Sequence, residues 1–364
     1  MEKSVKVNNS LNNEIIKNDY YVIIVGAGPA GLSVALELLN RGIINILVIE
    51  KHQFPRYKCC AGYITNKTLT AYEKAGLNVK DCHYSLIKDF NILYKNKKRL
   101  NIINKFLYTN EKIDRVELDY GFFNLAKSAG IEIMENTTIS QHNLQTNSIT
   151  LSSGKSLTYD NLIFADGTYG FGSRYQKRKK CNIALQMTFE STQEEKIDIH
   201  FGVTKRGYAW VSTFNGIVNV GMTDVFTTKK DYKKIFTDFL KLQGFEVSTE
   251  NLKSAFTPIG ICKPIINSNI FYVGDAVGAC DPLTLSGLRY ALQTGEICAS
   301  AIASQKVKIY KSFIRKLKFK FSIMRTMQKV FYIKWVSYII FNIFCRFFGK
   351  LVSIIFNNFF VNKK

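Results

Sequence analysis

Negative charge gives out well before the end of this chain: after Glu296 there is no Asp or Glu at all. Over its 364 residues the sequence sets 50 Lys and Arg against 28 Asp and Glu, a formal net charge of +22. Such a surplus suits an anionic partner, nucleic acid or a lipid surface. Other absences narrow the field. Eight cysteines are scattered without a Cys-x-x-Cys pair and there are four His, so no metal site is expected. Residues 1–19 are polar and rich in Asn and Lys, so no secretory signal is expected and the thiols read as reduced, in the cytosol. The longest uncharged runs of the tail, 335–345 and 351–361, fall short of the ~18–20 residues that cross a bilayer. A mean hydropathy of −0.04 argues against a polytopic membrane protein.

What is present starts at Tyr21-Val22-Ile23-Ile24-Val25, an apolar run leading straight into Gly26-Ala27-Gly28-Pro29-Ala30-Gly31. A buried parallel strand turns tightly into a helix here. Gly26 makes the turn, Gly28 lets backbone approach a pyrophosphate, and Gly31 lets the helix pack close to the strand. The free N–H groups and dipole of the helix start hold the negative charge. Leu32 to Leu39 continues the helix, Gly42 ends it, and Ile43 to Ile49 forms a second strand ending at Glu50. That carboxylate stands where a βαβ unit places an acid for a ribose hydroxyl pair. Dinucleotide binding is the reading of the set.

The rest of the chain suggests two units, by the rule of roughly 100–200 residues each. Residues 1–18 read as a loose leader. Residues 86–108 alternate as exposed antiparallel strands. A helix opens near Ile113 and runs to about Ala129. A strand follows near 131–133, then a hairpin at 137–158 turning at Asn147 and Gly154, then a buried strand from Asn161 into Asp166-Gly167. Residues 183–224 read as β-structure around Tyr208-Ala209-Trp210, followed by a helix near 230–243. A last buried strand, 270–273, ends in Gly274-Asp275, and a long helix spans about 285–304.

Four separated pieces fit one ligand: Gly26–Gly31 with Glu50; Arg115; Asp166-Gly167 with Ser173-Arg174; and Gly274-Asp275 with Asp281-Pro282-Leu283-Thr284 and Gly287. Over about residues 20–305 the chain resembles the FAD-dependent oxidoreductases of the aromatic-hydroxylase type, and among them most the geranylgeranyl reductase family. The resemblance implies an α/β fold: a Rossmann-type FAD-binding domain, an inserted antiparallel β-sheet substrate domain and a helical C-terminal region. The expected division is 19–85, 109–180 and 255–305 for FAD, 86–108 and 181–254 for substrate, and 306–364 for the tail. FAD would lie extended, its pyrophosphate at Gly26, Gly28, Pro29, Ala30 and Gly31 and its adenosine ribose on Glu50. Arg115 would meet the cofactor near its phosphates, and Asp275 the ribityl chain. The helix start after Pro282 would face the pyrimidine end of the ring. Taken singly the pieces have plainer readings: Gly-Asp at a strand end is often a turn, and Arg115 can pair with Glu117 or Asp119. With only one glycine fingerprint after a strand, electrons come either from NADPH binding transiently or from a ferredoxin-like protein.

Pro55-Arg56-Tyr57-Lys58-Cys59-Cys60-Ala61-Gly62 is similar to the family's Pro-Arg-x-Lys-x-Cys-Gly-Gly segment beside the flavin ring, with Ala61 in place of the first glycine. Tyr208-Ala209-Trp210 is similar to its Tyr-x-Trp substrate motif, although the usual Phe-Pro after the Trp is absent. Two aromatics at i and i+2 on one strand face suit an apolar slot for an isoprenoid tail, or are ordinary sheet core. The resemblance implies hydride transfer to a C=C bond of a geranylgeranyl-type lipid, with Cys60 or Tyr208 as proton donor and Trp210 in the slot. The competing expectations are a flavin monooxygenase or halogenase, and an electron-transfer flavoprotein feeding a quinone pool. The basic tail, with Lys311, Arg315, Lys316, Lys318 and Lys320 followed by aromatic-rich runs, reads as an interfacial anchor on an anionic membrane. Its alternatives are helices packed over the substrate domain or a dimer contact. No nucleic-acid fold signature accompanies the charge, so no nucleic-acid partner is expected. The protein is expected to be cytoplasmic and peripherally membrane-associated.

Overall fold

The computed structural model describes residues 18–177, 180–264, 266–267, 269–345 and 349–360; the expected leader, but for Asn18, lies outside them, as does Arg346 of the tail. Five parallel strands form the first sheet's centre, in the order Ile270–Tyr272, Ser156–Phe164, Asp19–Val25, Ile46–Ile49 and Glu132–Met134. Val22, Ile23 and Ile24 are all 0% exposed. Neighbouring residues on a strand face opposite ways, so both faces of this sheet are covered, which is why its strands read as unbroken apolar runs. Helices α1 (Pro29–Asn40), α2 (Asn66–Lys74) and α3 (Val116–Ser128) belong to this half.

The hairpin and the buried strand expected as separate pieces at 137–158 and 161–167 share one strand. Ser156–Phe164 runs unbroken, its first half pairing with Ser148–Leu151 of a meander and its second half lying between parallel neighbours. The turns at Asn147 (φ +47°) and Gly154 (φ +86°) are where the sequence puts them.

The second sheet has seven strands, in the order Lys253–Pro258, Cys181–Glu190, Ile217–Val225, Tyr208–Phe214, Lys196–Phe201, Asp89–Tyr94 and Lys97–Ile103. It is antiparallel except at one join, where Lys196–Phe201 runs parallel to Asp89–Tyr94, because two distant stretches of chain meet there. A boundary at 254/255 would cut a strand: Lys253–Pro258 pairs along its length with Cys181–Gln186. Helix α4 (Tyr232–Leu242) covers one face, burying Phe236, Phe239 and Leu240 against Val211, Val218 and Val220. A small third sheet joins Ile64–Thr65, Leu107–Thr109 and Ser85–Leu86.

Helix α5 (Leu288–Ala303) returns to the first half and lies on α1. A Cβ on Gly295 would stand 2.6 Å from the Ala30 carbonyl oxygen, so the two backbones touch. The Ser33 hydroxyl donates to the Leu292 carbonyl at 2.9 Å across the same seam. The tail forms α6 (Val307–Phe331), α7 (Lys334–Ile339), a π-turn over Ile340–Phe344, and α8 (Gly349–Phe360). Tyr310, Ile314, Leu317, Phe321 and Met324 of α6 join the main core. Phe341 and Cys345 join a third core, with Phe90, Ile92 and Tyr94 of the second sheet. The Asn357 amide on α8 donates to the Ile103 carbonyl and accepts from the Lys105 N–H. The tail thus packs on both halves. Among the described residues no helix is long and apolar enough to cross a membrane.

Candidate active site

The glycine turn is closed by backbone contact. Gly26 has φ +107°, and a Cβ there would stand 2.6 Å from the Ala165 carbonyl oxygen; a Cβ on Gly31 would land on the Gly26 carbonyl oxygen. Strand end, turn and helix start are therefore in van der Waals contact, which only hydrogen side chains permit. Gly28 is different. The one atom near its Cβ position is Arg56 Nη2, at 3.6 Å. The turn is open on that side, with the first N–H groups of α1 behind it and no side-chain cap at Gly28. Glu50, 4% exposed, accepts from the Ala27 N–H at 2.8 Å and the His52 N–H at 3.0 Å. Its carboxylate braces the turn and keeps lone pairs for further donors.

Arg56 stands at this opening, and Arg115 shares the Asp119 carboxylate with it. Arg56 lies over the Phe54 ring (4.7 Å), with Nη1 3.5 Å from Asp119 Oδ2 and Nε 3.9 Å from Glu50 Oε1. Arg115 donates to Asp119 Oδ1 at 2.5 Å from the residue preceding α3. The plainer expectation for Arg115, an ion pair with Asp119, is therefore present, but buried rather than on the surface: Arg115 is 7% exposed and Asp119 2%. Burial alone would lower the Arg115 pKa; the Asp119 carboxylate more than offsets it and keeps the group charged. The Nε–H of each arginine has no hydrogen-bond partner among the described residues. Those donors leave room for an acceptor from a ligand, and with Arg56 Nη2 beside Gly28 and free N–H groups at the start of α1 the site fits the pyrophosphate of FAD. Asp166 sits on the other side of Gly26 and accepts from the Gly172 N–H at 2.8 Å.

Gly274 (φ +59°) touches α1, since a Cβ on it would stand 2.8 Å from Ala30 Cβ. Asp275 follows, with Oδ1 3.4 Å from the Cβ position of Gly287, the residue before α5. The helix starts at Leu288, later than expected, because Leu285 takes φ +60°. The intervening loop is held by Asp281, whose Oδ1 accepts from the Leu283 and Thr284 N–H groups at 2.8 and 3.1 Å. Burial raises the Asp281 pKa, and those two bonds oppose it.

The second sheet meets this loop through Tyr208, whose hydroxyl donates to the Thr284 carbonyl at 2.9 Å. Trp210 lies on the same strand face, ring centroids 6.2 Å apart. It is seated on Gly221, where any Cβ would collide with its indole. Its Nε1–H donates to Asn219 Oδ1 at 2.9 Å, and the Asn219 amide donates to the Ile113 carbonyl at 2.7 Å and the Cys60 carbonyl at 3.4 Å. One buried Asn thus clasps the strand of Trp210, the Cys60 segment and the loop before α3. Burial raises the Tyr208 and Tyr63 pKa values, and Cys60 is close enough to raise both further. Tyr63 is hydrogen-bonded to Ser212. Cys59 points away, donating to Gln186 Oε1 at 3.4 Å, and burial pushes its thiol up to about 12.

The residues singled out in the sequence fall into two groups joined by the 281–287 loop and Arg115: the glycine turn with Glu50, Arg56, Asp166, Gly274, Asp275 and Gly287, and the cluster of Cys60, Tyr208 and Trp210. The sequence assigned no role to Asn219, and named Asp119 only as a partner for Arg115. That pairing is legible in their i+4 spacing; Asn219 had no local signal.

A parallel nucleotide-binding sheet with an open glycine turn, met by a second sheet through Tyr208 and Trp210, defines the class: a flavoprotein oxidoreductase. The chain matches the FAD binding domain family over residues 19–205, and belongs to it as an FAD-dependent oxidoreductase. It is 29% identical over 326 residues to an uncharacterized protein of Methanosarcina barkeri, covering 86% of this chain and 82% of that one. It is 25% identical over 327 residues to a menaquinone reductase of Mycolicibacterium smegmatis (80% and 78% covered). To a digeranylgeranylglycerophospholipid reductase of Methanococcus vannielii it is 24% identical over 350 residues (84% and 87%). The fold is that of a geranylgeranyl bacteriochlorophyll reductase-like protein of Thermoplasma acidophilum, with TM-score 0.72, 20% identity, and 87% and 88% covered. A flavin-dependent brominase shares it, with TM-score 0.71, 17% identity, and 94% of each chain covered. The resemblance to the geranylgeranyl reductase family read from the sequence stands on these findings.

Proposed function

We propose that the protein reduces C=C bonds of an isoprenoid or geranylgeranyl-type lipid. The observation that carries this reading is the Asn219 clasp, which holds Trp210 and the Cys60 segment together beside Tyr208. FAD, when bound, supplies the hydride. Gly28, Ala30, Gly31, Arg56 and Arg115 hold its pyrophosphate, Glu50 its adenosine ribose, and Asp275 its ribityl hydroxyls. Tyr208 and Trp210 present an apolar wall that orients the alkene and excludes water. Tyr208 stays protonated far above neutral pH, because burial above all disfavours its anion; its hydroxyl, or the Cys60 thiol, gives the proton to the second carbon. NADPH or a ferredoxin-like protein meets the flavin transiently as electron donor, and the enzyme works at an anionic membrane surface where its substrate resides.

The test is to feed dithionite-reduced protein a geranylgeranyl lipid and follow its mass. Gains in steps of two hydrogens support the proposal. No gain, with NADPH-coupled oxygen consumption and hydroxylation or halogenation of a substrate, supports the second reading, a monooxygenase or halogenase. That reading is favoured by the fold shared with the brominase. Quinone reduction without alkene chemistry supports the third, an electron-transfer flavoprotein; one relative's name, menaquinone reductase, favours it.

A further inference from the structure

Helix α6 carries two apolar stripes on opposite sides. One, through Tyr310, Leu317 and Phe321, is buried in the core. The other, Phe319, Ile323, Met327 and Val330, is exposed, with Phe319 at 71%. At 100° per residue these four fall within an arc of about 80°. On α7, Trp335, at 65%, and Tyr338 are exposed as well. Core packing gives no reason for a second stripe. Exposed Arg315, Lys316 and Lys329 lie beside it, and no acid occurs after Glu296.

The patch ends next to a run of aromatic rings. Phe331 packs on Phe201 (5.5 Å between centroids), and Phe201 on Tyr208 (6.0 Å). Phe331, the residue after Val330, is therefore joined to Tyr208 by ring-to-ring contact.

We infer that this face of α6 and α7 is a docking surface for an anionic lipid bilayer. The stripe would enter the interface, the flanking lysines and arginines would meet lipid phosphates, and the Phe331–Phe201 rings would line the way to Tyr208. A second copy is a poorer occupant, because an isologous contact would set one basic face against another. The inference rests on the proposed lipid substrate for its purpose but not for its test.

Deleting the tail would strip Tyr310, Ile314 and Phe321 from the core, so surface substitutions serve instead. The flavin-loaded full chain is floated with phosphatidylcholine vesicles, with and without phosphatidylglycerol. The wild type is expected to float only with the anionic vesicles. The combined Phe319→Ser, Ile323→Ser and Met327→Ser variant should lose about tenfold or more of this binding, while keeping its flavin and its rate on detergent-dispersed geranylgeranyl lipid. A second variant, Arg315→Gln with Lys316→Gln and Lys329→Gln, should also bind less. Wild type that stays unbound, or a serine variant that floats unchanged, overturns the inference. So does a wild-type dimer in size-exclusion chromatography that the serine variant dissolves, since a second copy would then cover the face. Wild type that floats but adds no hydrogen to the dispersed lipid defeats the reductase proposal and leaves the docking surface standing.

Discussion

At the end of the parallel sheet, the site is built from backbone packed on backbone; on the seven-stranded sheet, it is built from side chains hydrogen-bonded across long stretches of sequence. Gly26, Gly31 and Gly274 leave no room for a methyl group because carbonyl oxygens, chain atoms or a neighbouring Cβ already occupy it. Trp210, Asn219 and the Cys60 segment depend instead on three polar bonds, two of which reach over 106 and 159 residues. The first construction is rigid and accepts almost no substitution. The second can be altered atom by atom while the fold persists, which suits the part of a flavoenzyme that selects substrate. Four substitutions or titrations separate the two constructions, taken here from the largest effect on stability to the smallest.

Gly31→Ala tests the rigid half. Its Cβ would meet the Gly26 carbonyl, which cannot move because Gly26 is itself against Ala165. Overpacking of this kind typically costs about 1–3 kcal/mol and here should reach or exceed the upper end, about 3 kcal/mol. The expected outcome is little folded protein and no yellow colour after reconstitution with FAD. Gly28→Ala is the control. Its methyl group meets only Arg56 Nη2 at 3.6 Å, so the melting temperature should barely change while FAD binding weakens. Equal damage from both would erase the distinction between a packed and an open face of the turn.

Asn219→Ala tests the other half. It orphans the Trp210 N–H and the Ile113 carbonyl, both buried, and at the low end of the ~1–3 kcal/mol that each unmet group costs, a loss of about 2 kcal/mol is expected. Denaturant titration reads the loss. The flavin should remain bound, because no atom of Asn219 touches the glycine turn, and lipid reduction should fall through misplacement of Trp210. Loss of flavin in this variant would show that the two halves are not separable.

The same contrast governs what the sequence could reveal. The glycine turn was legible because its contacts are local: Gly26 and Gly31 lie five positions apart, and strand, turn and helix follow in one continuous run. The alternation around Tyr208-Ala209-Trp210 correctly set both aromatics on one face. Asn219 was not legible as a clasp, because its partners are set by the register of Ile217–Val225 against Tyr208–Phe214 and by the arrival of two distant loops. The boundary near 254 was missed for a similar reason. Lys253–Pro258 earns its place by pairing with Cys181–Gln186, and its own pattern is weak. The tail hid its second stripe because charged residues interrupt it in sequence but not in space.

His200 lies on the opposite face of the seven-stranded sheet, against the Phe239 ring of α4 at 5.1 Å. Neither ring nitrogen has a hydrogen-bond partner among the described residues. Burial lowers its pKa from 6.5 to about 4, with Asp198 opposing and Lys196 assisting. Between those values the unfolded chain binds a proton that the folded chain does not, so stability should fall as pH drops from about 6.5 toward 4. A loss of about 1–2 kcal/mol by pH 5 is expected, at 1.36 kcal/mol for each pH unit in that window. His200→Leu should flatten the profile in denaturant titrations at pH 7 and pH 5. An unchanged slope would show that another group sets the acid sensitivity.

Tyr208→Phe has the smallest expected cost to the fold and the sharpest bearing on chemistry. It removes one hydrogen bond, to the Thr284 carbonyl, for about 1 kcal/mol. The ring, its packing on Trp210 and Phe201, and the slot it helps line all remain. If the hydroxyl gives the proton, reduction of a geranylgeranyl lipid by pre-reduced enzyme should slow by about 10²-fold or more, with flavin binding intact. Cys60→Ser run beside it divides the two donors. A large loss in Tyr208→Phe with a small one in Cys60→Ser assigns the proton to Tyr208, and the reverse assigns it to the thiol. Near-wild-type rates in both would mean that the clasp holds a wall for the substrate and that the proton arrives from water, which would make the seven-stranded half a shape and nothing more.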